Sequence, residues 1–144
     1  MKKLICVMTL VCIGILLVSC GSKRLDNPKA QFIRDFGLNI EKKDCVLEEL
    51  FNNYEGVPYE GIALYKLTVG EDVRQAFLQW ERFPLPEAAE NFLESLSAYV
   101  ELPSITDGYW KMVDRNPGTS AYTNVSLCVY DGATGAAYLL TMDI

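Results

Sequence analysis

Apolar and polar positions follow two rhythms along this chain. Phe32, Ile33 and Phe36 fall at helical spacing and Gly37 follows, which predicts a short helix stopped by a glycine. Val46, Leu47, Leu50 and Phe51 fit either a helix capped by Asp44 or a strand, because the segment is short and leads to a loop punctuated by Gly56, Pro58 and Gly61. Ala63, Tyr65, Leu67 and Val69 then alternate with Ile62, Leu64, Lys66 and Thr68 as in a strand, with the first set expected to face the core. Val73, Phe77 and Trp80 lie at i, i+4 and i+7, and Glu71 and Asp72 place negative charge at the start of their helix. The run Phe83-Pro84-Leu85-Pro86 breaks that helix. A second helix starts at Pro86, where the missing amide proton costs nothing, and turns Ala89, Leu93, Leu96 and Val100 inward.

From Tyr109 onward the pattern is of strands: Tyr109 to Asp114, a Pro117-Gly118 turn, Tyr122 to Tyr130, the loop Asp131 to Gly135, and Ala136 to Asp143. Two alternating runs joined by a short Asp-Gly loop are a hairpin signal. Helices segregated from strands, with no repeating βαβ unit, predict an α+β fold. The expected architecture is a single domain with a mainly antiparallel sheet of about five strands and helices packed on one face.

The first twenty residues follow another logic. Lys2 and Lys3 precede an apolar run from Leu4 to Val18 that ends in Leu17-Val18-Ser19-Cys20. A helix over that run would span about 20 to 25 Å, short of a hydrocarbon core of about 30 Å, so an export signal is favoured over a retained transmembrane helix. The Leu-x-Ser-Cys ending resembles the lipobox at which bacteria attach diacylglycerol to the cysteine thiol and cleave before it. That resemblance implies a signal peptide over residues 1–19, a lipidated Cys20 with a flexible tether over 20–30, and a globular domain over 31–144. Two or three acyl chains hold a protein at a bilayer without any further membrane element. Gly21 stands where an aspartate would signal inner-membrane retention. The expected location is therefore the outer face of the cell membrane, or the outer membrane where the source has two.

Composition narrows the partners. The chain of 144 residues has 13 Lys and Arg against 19 Asp and Glu, a formal charge of −6, and loss of Lys2 and Lys3 with the signal takes it to −8. Such acidity disfavours nucleic acid and direct adsorption to anionic lipid. Five cysteines reduce to Cys45 and Cys128 once Cys6 and Cys12 are removed and Cys20 is lipidated. The two could form one disulfide in an oxidising exterior, or both could be small buried apolar residues.

A search for chemistry finds no catalytic constellation and implies no metal and no cofactor. Absence of histidine removes serine-histidine and cysteine-histidine catalysis, and the chain has no S-x-x-K, no G-x-S-x-G and no phosphate-binding glycine pattern. Glu48-Glu49 and Glu71-Asp72 are neighbours that need no more than a solvated face or a helix start. The loop Asp131-Gly132-Ala133-Thr134-Gly135 lacks the acidic positions of a calcium loop and fits a plain hairpin turn. Asp114 and Arg115 are a ligand-binding pair or, in the plainer reading, a salt bridge or loop anchor. Tyr54, Tyr59, Tyr109, Trp110 and Tyr122 fall near predicted loops and strand ends, where aromatics can stack on sugars or clamp a peptide, with Tyr59, Tyr109 and Trp110 the candidate ligand-binding residues; the plainer and favoured reading is core or strand-face packing.

The order of short motifs is also similar to that of a known group: Phe36-Gly37-Leu38, Gly56 with Tyr59-Glu60-Gly61, Trp80 before Leu85-Pro86, Gly108-Tyr109-Trp110 with Asp114-Arg115, Val129-Tyr130-Asp131, and Met142-Asp143-Ile144. It resembles small uncharacterised lipoproteins and membrane-anchored proteins of Gram-positive, Clostridia-like bacteria, over most of residues 31 to 144. Relatives of that kind often carry histidines between the loop glycines, where this chain has Tyr54, Tyr59 and Glu60, so a metal or acid-base role for that loop is not implied. The resemblance favours a strand over Cys45 to Phe51, paired with Ile62 to Val69, and supplies no function. The reading that results is a non-enzymatic envelope lipoprotein held through Cys20, with a protein or peptide partner at the envelope. Its alternatives are an immunity or inhibitor protein against a toxin or hydrolase, and an accessory subunit of an envelope complex.

Overall fold

A computed structural model describes residues 28–41, 44–54, 60–118 and 123–144. Helix α1 (Pro28–Phe36) leads to a hairpin of β1 (Val46–Asn52) and β2 (Gly61–Thr68), and then to α2 (Glu71–Phe77). A two-residue strand β3 (Glu81–Arg82) precedes α3 (Glu87–Leu96), and β4 (Gly108–Asp114), β5 (Asn124–Asp131) and β6 (Ala136–Asp143) complete the fold. The six strands form one sheet in the order β1-β2-β6-β5-β4-β3, every neighbour antiparallel.

The α+β class and the antiparallel sheet agree with the sequence pattern, and β3 is the strand it did not reveal. Its two exposed residues, Glu81 and Arg82, carry no apolar alternation and pair only with Trp110 and Tyr109. Residues 46–52 are the strand that the motif resemblance favoured, joined to β2 with a bulge between Glu49 and Phe51.

The expectation of helices on one face is corrected. Alternation along each strand sorts its side chains onto two faces. Ala63, Tyr65, Leu67, Cys128, Tyr130, Ala137 and Leu139 pack with Phe32 and Phe36 of α1 and Val73 and Phe77 of α2. On the other face Ile62, Leu64, Val125, Leu127, Val129, Tyr138, Leu140 and Met142 pack under Ala89, Phe92 and Leu96 of α3 and the chain that follows it. Strands β5 and β6 are almost continuously buried, and such strands need cover on both sides. Helices on a single face would have left Leu127, Val129 and Leu140 in water, at a cost of about 1.5–3 kcal/mol each.

On the α1–α2 face the core is strongly aromatic. Phe36 meets Trp80 at 5.5 Å between centroids, Phe77 meets Trp80 edge-on at 4.8 Å, and Phe77 stacks on Tyr130 at 4.7 Å. Trp80 lies beyond the end of α2 yet joins the face that Val73 and Phe77 define. In α3 the buried stripe is Ala89, Phe92 and Leu96, with Val100 one turn further on, while Leu93 is only partly buried. Leu93 still packs against this core, and Phe92, which the pattern did not single out, takes the fully buried position beside it. Among the described residues no helix is long and apolar enough to cross a membrane.

Candidate functional site

Arg115, one residue past β4, reaches back across the end of the sheet beneath α1. Its Nη1 donates to Asp35 Oδ2 at 2.9 Å and to the Ser126 hydroxyl, while Nη2 donates to Asp143 Oδ1 and to the Met142 carbonyl at 3.3 Å. Ser126 Oγ in turn donates to Asp35 Oδ2 at 2.7 Å and accepts from Gln31 Nε2 at 3.2 Å. The Asp35 side chain is 3% exposed and that of Arg115 18%. Burial alone would raise the Asp35 pKa, but hydrogen bonds from Arg34 and Ser126 and the charge of Arg115 hold it below its ordinary value.

Tyr54 extends this cluster. Its hydroxyl donates to Asp143 Oδ2 at 2.8 Å and lies 3.2 Å from Thr141 Oγ1. Burial, with the Asp143 carboxylate adding to it, pushes the phenol pKa far above its ordinary value. Tyr54 reaches this place because the opposing hairpin residue is Gly61: a Cβ there would stand 2.6 Å from Tyr54 Cα. Asn53 fastens the same corner, its Oδ1 accepting from Ile62 N at 2.7 Å and its own N–H donating to Ile62 O at 3.1 Å. The arrangement satisfies each polar group it buries and is an anchor for α1, β5 and β6. Of the two sequence readings of Arg115, the structure realises the anchor, with Asp35 and Asp143 as its acids in place of Asp114. Asp114 Oδ1 accepts instead from Asn116 N at 2.8 Å.

At the same end of the sheet, where Asp143 and Met142 pass to the α3 side, lies a cleft of about 770 Å³. Ile62, Leu96 and Met142, all buried, form its floor, and Asn53, Glu60, Ser95 and Asp143 supply polar groups. Tyr99 and Ile144 stand at its rim, 57% and 66% exposed. Tyr99 is held there by the turn that ends α3. Its N–H and that of Val100 both donate to Leu96 O, and Leu96 and Val100 are buried four residues apart, which turns Tyr99 outward.

Of the candidate residues read from the sequence, Tyr109 and Trp110 do not line this cleft. Tyr109 and Trp110 are adjacent in β4 and face opposite sides of the sheet: Tyr109 packs with the α1–α2 core, Trp110 with the α3 core. The two therefore form no shared patch, and of the two readings of these aromatics the packing one describes them. Tyr59 and Tyr122 lie outside the described residues, as does Cys20. Cys45 and Cys128 are both buried free thiols of the α1–α2 core, so the disulfide is replaced by the packing alternative; burial pushes the Cys128 thiol well up. Asp131 is taken up by its own turn, accepting from Ala133 N at 2.9 Å and Thr134 Oγ1 at 2.5 Å. Ser126 is fully buried in the Arg115 cluster.

Sequence reasoning did not single out Tyr99, and it named Ile144 and Met142 only within a terminal motif and Leu96 only as a core position. The available signal was a tyrosine beside Val100 at the end of an acidic helix. Among the described residues no group of three or more His, Cys, Asp or Glu is placed to hold a metal ion. Comparison of the chain with protein-family models, curated proteins and solved structures finds no match.

Proposed function

We propose that this chain is a non-enzymatic lipoprotein of the cell envelope, held at the outer face of a membrane through Cys20, and that its domain acts by binding through the cleft beside Tyr99. The observation that carries the binding reading is the pairing of two exposed large apolar side chains, Tyr99 and Ile144, over a buried apolar floor. Exposed aromatics over such a floor are typical anchors of recognition sites. The anchorage rests on Leu17-Val18-Ser19-Cys20 behind a short apolar run, and on the likeness of the motif order to small lipoproteins. The polar cluster around Arg115 gives no support to catalysis, because its donors and acceptors are spent on one another and on the backbone.

Two experiments test the two halves of this reading. Intact mass of protein taken from its native membrane is expected to equal residues 20–144 plus a diacylglyceryl group, with Cys20→Ala accumulating as full-length precursor. An acylated, processed Cys20→Ala product would refute the anchorage. For binding, a photo-crosslinking amino acid placed at Tyr99 in intact cells is expected to yield a discrete adduct that the same group at exposed Glu71 does not. Identical patterns from both positions would remove the cleft as the site.

A further inference from the structure

On the α3 face of the sheet, Glu48 of β1 stands opposite Lys66 of β2, and Lys66 stands opposite Tyr138 of β6, so the three form one row across three strands. The chain that follows α3 is held over that face by Leu102, which packs on the same core as Tyr138. Row and chain enclose a second cleft, of about 430 Å³, with Leu50, Glu101 and Ser104 in its walls. It shares no lining residue with the cleft beside Tyr99. Its volume falls within the range of about 300–1,000 Å³ usual for small-molecule sites.

The charges of this cleft are unspent. Lys66 is half-buried, and among the described residues neither its ammonium nor the Glu48 and Glu101 carboxylates have a salt-bridge or hydrogen-bond partner. The Ser104 and Tyr138 hydroxyls are likewise without a partner there. An ammonium with three donors beside carboxylates that accept from nothing offers both signs of charge to a ligand. A simple anion on Lys66 would face the two carboxylates, and a simple cation on the carboxylates would face Lys66. A molecule carrying both signs satisfies all three groups. Directly opposed residues of an antiparallel pair have Cβ atoms about 4.5–5.5 Å apart, so the charges of Glu48 and Lys66 spring from neighbouring points, as do the ammonium and carboxylate that an α-amino acid bears on one carbon.

The geometry points to a free α-amino acid with an aliphatic side chain as the ligand of this second cleft, an inference that does not depend on the Tyr99 reading. The ligand carboxylate accepts from Lys66 Nζ and the Tyr138 hydroxyl, the ligand ammonium donates to Glu48 and Glu101, and the aliphatic side chain lies against Leu50 and Leu102. Hydrogen bonds between ionised groups are the strong ones, and they set orientation as well as affinity. A peptide, whose terminal charges stand at opposite ends, does not match this spacing.

The test uses the full chain in a non-ionic detergent and three probes of one shape: L-leucine, its amide, which lacks the carboxylate, and isocaproate, which lacks the ammonium. Binding is followed by NMR shifts of the Leu50 and Leu102 methyl groups. L-Leucine at millimolar concentration is expected to move both, and each analogue to bind more weakly by about ten-fold or more, the loss of a hydrogen bond to a charged group. Lys66→Met is expected to abolish the preference for leucine over its amide. Glu48→Gln combined with Glu101→Gln is expected to abolish the preference over isocaproate, while Glu41→Gln, outside the cleft, leaves both preferences in place. Equal binding of leucine and either analogue by the wild-type chain would overturn the inference. A preference for leucine over its amide that survives in Lys66→Met would overturn it too, as would methyl signals that no probe moves.

Discussion

Arg115 is the residue on which three distant pieces of the chain depend. It brings together Asp35 from α1, Ser126 from β5 and Asp143 from β6, and its removal would strand two carboxylates against each other's element. Breaking a buried charge cluster by deleting one partner costs about 3 kcal/mol, so Arg115→Met should lower the urea midpoint by that equivalent. Asp35→Asn keeps the shape and removes the charge, at a cost of about 2 kcal/mol, as for a hydrogen bond to a charged group. The pH dependence has a definite sign. A carboxyl whose folded pKa is depressed contributes stability that is fully present above its unfolded value of about 3.9 and is lost as pH falls through the folded value. Asp35 and Asp131 both carry that depression. Unfolding free energy measured from pH 6 downward should therefore fall less steeply in Asp35→Asn than in the wild-type chain; parallel curves would contradict the assignment. Little of this was legible beforehand. Arg115 could be marked as an anchor from its place at a strand end, but nothing in local spacing couples it to a residue 80 positions earlier. Tyr99 was invisible for the converse reason: its exposure follows from Leu96 and Val100 burying the turn around it, which is a tertiary fact.

Strand β1 is an edge strand of the sheet among the described residues. Val46 is 62% exposed and Leu50 is also exposed, a pattern that invites another strand. Two features oppose that. The bulge at Leu50 bends the edge, and Glu48 and Glu49 place negative charge along it, Glu48 opposite Lys66 and Glu49 opposite Tyr65. Glu49 adds to burial in raising the Tyr65 pKa. Replacing Glu48 and Glu49 by Thr and Val leaves an uncharged segment of high strand propensity, which should change stability by less than about 0.5 kcal/mol and yet promote concentration-dependent self-association. Sedimentation velocity compares the two chains directly; unchanged species distributions would mean that the bulge alone guards the edge. The same features explain why β1 could be read as helix or strand. With Leu47 and Phe51 on opposite faces across a bulge, neither the period of two nor that of 3.6 runs cleanly through Val46 to Phe51.

The molecule as a whole is a sheet clad on both sides, with unequal cladding. The antiparallel hairpin of β5 and β6 was legible because Asp131-Gly132 and Gly135 mark its turn. That the sheet is covered twice was written in the near-continuous apolar runs Val125 to Tyr130 and Ala136 to Leu140, which a reading by alternation alone takes as one-faced. Helix α1 has a particular place in this arrangement. It is the first described element, it packs on the sheet through Phe32 and Phe36, and the Arg115 cluster ties its last turn to the ends of β5 and β6. On the proposed anchorage, the eight residues from Cys20 to Asn27 reach no more than about 28 Å, so the domain rides close to the bilayer and any drag on a captured partner travels into α1. The direction of that load matters mechanically. It would begin at Pro28 and meet Gln31 and Phe32 before the Asp35–Arg115 contact and Phe36, so the cluster stands near the end of a peeling seam. A single-molecule pull between Cys20 and a handle at Tyr99 should show α1 detaching before the sheet opens, at a lower force in Arg115→Met. Detachment at an unchanged force would place the resistance in the phenylalanines alone. A tether fastened in this way turns one guanidinium into the rivet between membrane and binding surface.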